Sequence, residues 1–139
     1  MEKKITIVGA GYVGISLAIL ISRKNSVLLL DIDESKVNKI NKKKCPISDS
    51  LADNILKNEK LNLKATIDSE EAFTDRDVII LAVPTDYDRE TNSFNTLIIE
   101  KILKTIFQKK INPIMNKKTF KLLSPEFPSK MLQHTLLQQ

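Results

Sequence analysis

Apolar residues along the chain fall into short unbroken blocks separated by stretches with a different rhythm. Ile5-Thr6-Ile7-Val8, Val27-Leu28-Leu29-Leu30 and Val78-Ile79-Ile80-Leu81-Ala82-Val83 are continuous runs rich in β-branched residues, the pattern of strands buried on both faces. Between them the apolar interval changes to three and four. From Tyr12 to about Arg23, Val13, Leu17, Leu20 and Ile21 recur at helical spacing, and Asn25 supplies a stop. Asp33 or Glu34 opens a second helix with Val37 and Ile40 as its core face. Lys42-Lys43-Lys44 fall in its last turn, where cations suit the helix dipole, and Pro46 breaks it. Ser48 begins a third helix with Leu51, Ile55 and Leu56 facing inward.

Lys64 to Ile67 reads as a minor strand, and Ser69 caps a short helix through Phe73. Pro84 ends the third apolar run, and the polar segment Thr85 to Asn95 is a loop. A helix from Thr96 to about Gln108 has Leu97, Ile98, Ile102, Leu103 and Ile106 as its apolar set. After Asn112-Pro113 the pattern decays: Phe120 to Leu123 forms a short strand, Ser124 to Pro128 a turn, and Met131 to Leu137 a marginal helix. Strands alternating with helices predict an α/β fold with a parallel sheet and right-handed crossovers.

All three glycines of the chain lie within six positions, Gly9-Ala10-Gly11-Tyr12-Val13-Gly14, directly between the first strand and the first helix. Glycine used only at one strand-to-helix corner implies close backbone approach there, as when a dinucleotide diphosphate sits on a helix N-terminus. Gly9 permits the tight turn, Gly11 lets the main chain approach the diphosphate, and Gly14 lets the helix pack close. The string alone also fits a glycine-rich turn without a ligand. Here, however, it is answered by Asp31 at the end of the second strand, 20 positions beyond Gly11, the spacing of a carboxylate that holds the adenosine ribose. The expectation is a Rossmann-like doubly wound parallel sheet, incomplete at its C-terminal end. A carboxylate beside a 2′-phosphate is repelled by about 4 kcal/mol at 4 Å and an effective dielectric near 20, so Asp31 favours NAD over NADP. Lys36 reads as a solvated helix residue or a cofactor phosphate contact. Thr85, beyond the carboxyl end of the third apolar run, is placed to face the nicotinamide half.

Composition alters this picture little. The chain has 139 residues, 42% hydrophobic and 28% charged, which suits one soluble domain. No apolar run reaches the ~18 residues of a membrane span, and no signal peptide is read at the N-terminus. The net charge of +5 is uneven. Residues 1–44 carry nine Lys/Arg against four Asp/Glu, residues 45–100 five against twelve, and residues 101–139 eight against one. The lysines of that last segment are scattered, with few aromatics among them, so a solvated surface accounts for them better than nucleic-acid binding. The single Cys45 excludes an internal disulfide and fits a reducing cytoplasm. Three preceding lysines would lower its pKa somewhat, but it has no partner base nearby in sequence and reads as structural. The lone His134 reads as a surface residue.

The cofactor corner, Asp31-Ile32-Asp33 with Lys36-Val37 and Ile40-Asn41, Cys45-Pro46-Ile47, Pro84-Thr85, Tyr87-Asp88, Thr91-Asn92, Phe94 and Ser124-Pro125-Glu126-Phe127 together resemble the UDP-glucose 6-dehydrogenases and related nucleotide-sugar dehydrogenases. The resemblance is continuous over about residues 3–108. It implies oxidation of a sugar C6 alcohol to a carboxylate with two NAD, through a cysteine-bound thiohemiacetal. It also implies that Gly9, Gly11, Tyr12, Val13, Gly14, Asp31, Lys36, Pro84 and Thr85 hold NAD, with Glu126 near substrate. The family's second glutamate is absent, since Pro128-Ser129-Lys130 follows the Ser-Pro-Glu-Phe string. Only Ile111 to Lys118 stands where the family has a further strand and helix. The family's catalytic cysteine and its lysine and asparagine helpers belong to later domains.

The expected organisation is therefore an NAD-binding Rossmann domain over residues 1–110 and an eroded remnant of it over 111–139, with no catalytic residue and no metal ligand. The expected partners are NAD and, only if the missing domains are supplied, a UDP-sugar. Neither nucleic acid nor membrane is expected, and a homodimer is left open. A regulatory NAD-sensing domain of a potassium-transport system shares the glycine corner and its acid, and is the alternative.

Overall fold

The computed structural model describes residues 1–84, 87–88, 93–94, 97–108 and 119–122. Strands β1 (Lys4–Val8), β2 (Ser26–Leu30), β3 (Leu63–Thr66), β4 (Val78–Leu81) and β7 (Thr119–Leu122) form one sheet in the order β3-β2-β1-β4-β7. Every pairing within it is parallel. Helices α1 (Tyr12–Ser22), α2 (Glu34–Asn41) and α3 (Ser50–Asn58) come between β1 and β3, α4 (Ser69–Phe73) between β3 and β4, and α5 (Leu97–Gln108) between β4 and β7.

The strands alternate their side chains between two cores, because consecutive residues of a strand point to opposite faces. Ile5, Ile7, Val27, Leu29 and Ile80 pack with Ile15, Ala18 and Ile19 of α1, Val37 and Ile40 of α2, and Ala52 and Leu56 of α3. Val8, Leu28, Leu30, Ile79 and Leu81 pack on the other side with Ala72 and Phe73 of α4 and Ile99 and Ile106 of α5. The sheet is thus covered on both faces, as the continuous apolar runs require. The buried Thr6 on the second face donates its hydroxyl to the Ala72 carbonyl, so that hydroxyl is not stranded.

The outer edge of β3 is closed by a side chain. Asn41 Nδ2 donates to the Ala65 carbonyl and Asn41 Oδ1 accepts the Ala65 N–H, each at 2.9 Å. The amide mimics a neighbouring strand at this position and blunts an edge that would otherwise recruit one.

Several boundaries differ from the sequence pattern, each for a local reason. Lys42, Lys43 and Lys44 are not in the last turn of α2: Lys42 is its C-cap and Lys43 has φ 58°. The chain therefore leaves the helix before Pro46 can break it. Aspartates rather than serines cap the next two helices. Asp49 accepts from the Ala52 N–H at 2.9 Å and Asp68 from the Glu70 N–H at 2.8 Å, since a carboxylate is a stronger acceptor at the positive end of a helix. Ser48 and Ser69 are not the caps.

Leu51 is 70% exposed, and α3 buries Ala52 instead. In α1, Val13 and Leu20 face outward while Gly14, Ile15, Ala18 and Ile19 face the sheet. That helix is apolar all round, so periodicity could not choose a face, and the small residues allow the closest approach. In α5, Leu97 and Ile98 are exposed and Ile99 is buried. β4 stops at Leu81, two residues short of the apolar run. The segment expected as loop contains a short antiparallel pair, β5 (Tyr87–Asp88) with β6 (Ser93–Phe94).

Candidate functional site

Strands β1 and β4 are neighbours in the sheet, yet their outgoing connections pass to opposite faces. Their carboxyl ends therefore frame the topological switch point, where open α/β sheets take ligands. The glycine corner is built at that point, and its three glycines do different work.

Gly9 has φ 105°, and an ideal Cβ on it would lie 3.0 Å from the Ala82 carbonyl carbon and closer still to its oxygen. Gly14 lies under the turn it follows. A Cβ there would overlap the Gly9 carbonyl, 2.9 Å from its carbon. Both positions are glycine because the fold admits nothing larger. Gly11 is different: it is extended at φ −86° and ψ −168°, which any residue adopts, and a Cβ there would meet nothing within 4 Å. Folding leaves Gly11 unconstrained, so the space beside it is open for an external group.

Gly11 is also the N-cap of α1 and offers no side-chain cap, and the first turn carries no acid. The first intrahelical bond runs from the Ile15 N–H to the Gly11 carbonyl at 2.9 Å. Among the described residues the N–H groups of Tyr12, Val13 and Gly14 have no acceptor, as expected of a first helical turn. Tyr12 and Val13 are 63% and 53% exposed, so this turn opens to solvent. Uncapped amides at the positive end of an eleven-residue helix form an anion seat.

Asp31 follows β2 on the neighbouring side. Its Oδ2 accepts the Ala10 N–H at 2.6 Å and its Oδ1 accepts the Asp33 N–H at 2.9 Å. The sequence pattern did not reveal the bond to Ala10. It also passed over Ile32, which is 99% exposed beside Asp31 and offers an apolar surface at the same rim. The only sequence signal for Ile32 was an isoleucine set between two aspartates in a turn. Asp33 caps α2, accepting from Ser35 and Lys36 N–H at 2.9 and 3.3 Å. Lys36 is thereby placed in the first turn of α2, half-buried. Pro84 is exposed just past β4. Thr85, Glu126, the Ser124–Phe127 string and His134 lie outside the described residues.

Cys45 is remote in role from this corner. Burial pushes its thiol above the ordinary 9.0, and the carboxylates of Asp49 and Asp53 add to the rise. The lowering expected from the adjacent lysines is overturned, because burial, with a smaller contribution from the two acids, raises the thiol. Among the described residues no group of three or more His, Cys, Asp or Glu side chains could hold a metal, and no helix is long and apolar enough to cross a membrane.

The family model for the UDP-glucose/GDP-mannose dehydrogenase family, NAD binding domain, matches residues 3–132. The chain belongs to that family. It is 46% identical over 115 residues to a UDP-glucose 6-dehydrogenase of Campylobacter jejuni, covering 81% of this chain and 29% of that protein. It is 39% identical over 105 residues to the UDP-glucose 6-dehydrogenase of Streptococcus pneumoniae, covering 76% and 27%. Among solved structures, a ternary complex of GDP-mannose dehydrogenase from Pseudomonas aeruginosa superposes with a TM-score of 0.65 at 29% identity, over 73% of this chain and 24% of that one.

A UDP-D-ManNAc dehydrogenase from Pyrococcus horikoshii reaches a TM-score of 0.79 over 96% of this chain and 31% of that one. At 22% identity it speaks for the fold alone. The chain therefore carries the NAD-binding domain of a dehydrogenase family and spans less than a third of the length of these curated relatives. The potassium-transport alternative finds no support in these relatives.

Proposed function

We propose that this chain is the coenzyme-holding part of an NAD-dependent UDP-glucose 6-dehydrogenase and does not turn over a UDP-sugar by itself. The observation that carries the reading is Gly11. It is a glycine that the fold does not need, with open space where its side chain would be, at the head of an uncapped helix. The NAD diphosphate would lie against the amides of Gly11, Tyr12, Val13 and Gly14, with Gly9 shaping the turn. Asp31 would accept from the adenosine ribose, Ile32 would stand beside the base, and Lys36 would lie toward the phosphates. Pro84 and Thr85 would border the nicotinamide half, and Glu126 would approach a UDP-sugar once the rest of the enzyme is supplied. NAD bound there accepts hydride, while the chain's own residues bind and orient it.

The domain is read as residues 1–110 with a remnant over 111–139. The single cysteine, kept as a poorly reactive thiol, suits a cytoplasmic setting. A homodimer is compatible with this reading.

Thermal melting with NAD tests it. A ligand at 100 times its dissociation constant adds about 2.7 kcal/mol, and Gly11→Val should remove the shift by filling the diphosphate's space. Failure of millimolar NAD to raise the melting temperature of the unmodified chain would refute coenzyme binding. NADH production from UDP-glucose by the purified chain would refute its inactivity.

A further inference from the structure

Asp31 does more in the ligand-free chain than present a carboxylate to solvent. Its Oδ2 takes the Ala10 N–H at 2.6 Å and its Oδ1 the Asp33 N–H at 2.9 Å. Its own N–H donates to the Thr66 carbonyl at 3.2 Å, and beside it the Gly9 N–H donates to the Leu30 carbonyl at 2.8 Å. One residue thus ties together the ends of β1, β2 and β3. Ala10 has no exposed surface and sits between Gly9 and Gly11, so the position of its N–H sets the turn. A bond from an amide to an ionised acceptor is about twice as strong as a neutral one. A carboxylate has roughly four lone-pair sites, which leaves about two for hydroxyl groups.

We propose that Asp31 is the positioning residue of the glycine corner, holding the Ala10 amide, and with it the turn, in the diphosphate-receiving shape before any coenzyme arrives. The proposal rests on the coenzyme reading above for its purpose, while the strut itself belongs to the free chain. Its consequence runs against simple electrostatics. Removing a negative charge beside an anion site should tighten anion binding on Coulomb grounds. Removing a strut that aligns the amides should weaken it.

Amide hydrogen exchange in the ligand-free protein, followed by NMR, tests this in the unmodified chain, Asp31→Asn and Asp31→Ala. The Ile7 and Leu29 amides report global stability. In Asp31→Ala the Ala10 amide should exchange about tenfold faster or more relative to those two. Asp31→Asn, which keeps a carbonyl acceptor, should recover part of the protection. If Asp31→Ala does not fold, Asp31→Asn carries the comparison, and its Ala10 amide should exchange about threefold faster than in the unmodified chain. Inorganic pyrophosphate, which has no ribose, should bind more weakly to either variant.

Ala10 exchange that does not change relative to the reference amides overturns the proposal, and so does pyrophosphate that binds the unmodified chain and binds the variants equally or more tightly. An unmodified chain that ignores NAD but loses Ala10 protection in the variants refutes the coenzyme reading and leaves the strut standing. NAD binding with no Ala10 response in the variants does the reverse.

Discussion

Replacing Gly14 and Gly11 separately by alanine should divide the glycine corner into a part the fold requires and a part it does not. At Gly14 the new methyl would overlap the Gly9 carbonyl, a backbone group that cannot rotate away. The cost therefore lies at the upper end of overpacking, about 3 kcal/mol or more. Alanine returns about 1 kcal/mol through its helix propensity, leaving a net loss of about 2 kcal/mol or more. For a chain of this length each kcal/mol moves the melting temperature by about 3–5 °C, so Gly14→Ala should melt about 6–10 °C lower.

At Gly11 the methyl would enter open space at an ordinary φ. The unfolded-state gain of about 0.4–1 kcal/mol is offset by a similar loss from alanine at an N-cap. Gly11→Ala should therefore melt within about 2 °C of the unmodified chain. Circular dichroism melts without ligand are the assay. If Gly11→Ala melts as low as Gly14→Ala, Gly11 is used by the fold and its space is not kept for a ligand.

Asn41→Ala should cost about 1–2 kcal/mol from the two lost bonds to Ala65 and should increase concentration-dependent association through the exposed β3 edge. Light scattering that stays unchanged would exclude edge capping. The Glu59 carboxyl is held below its ordinary 4.5 by hydrogen bonding to Arg23, through contacts of 2.8 and 2.9 Å. A lowered folded pKa stabilises fully above the unfolded value and is lost as pH falls through the folded one. Acidification from about pH 5 to pH 3 should thus lower the melting temperature less steeply in Glu59→Gln, and parallel profiles would refute the pairing. Cys45 should alkylate slowly at pH 8 because its thiol lies above the usual range. Asp53→Asn should speed that reaction, and an unchanged rate would show that the acid does not act on the thiol.

The fold class was legible in the chain because strands buried on both faces are written as unbroken apolar runs, and their alternation with helical stretches points to a parallel sheet covered by helices. The glycine string and Asp31 were legible for a similar reason: close backbone approach leaves no substitute for glycine, and the acid's place is set by strand length. Three-dimensional placement decided the rest. An all-apolar helix such as α1 has no preferred face until a sheet presses against it, and then size rather than hydrophobicity selects Gly14 and Ala18 for the contact. Which glycines the fold itself demands depended on atoms distant in sequence, since it is Ala82 that crowds Gly9 while nothing crowds Gly11. The bond from Asp31 to Ala10 and the closing of β3 by Asn41 join residues more than 20 positions apart. Cys45 shows the same limit in reverse. Its lysine neighbours in sequence promised a lowered pKa, but in the folded chain burial raises the thiol, and the nearby Asp49 and Asp53 add to the rise.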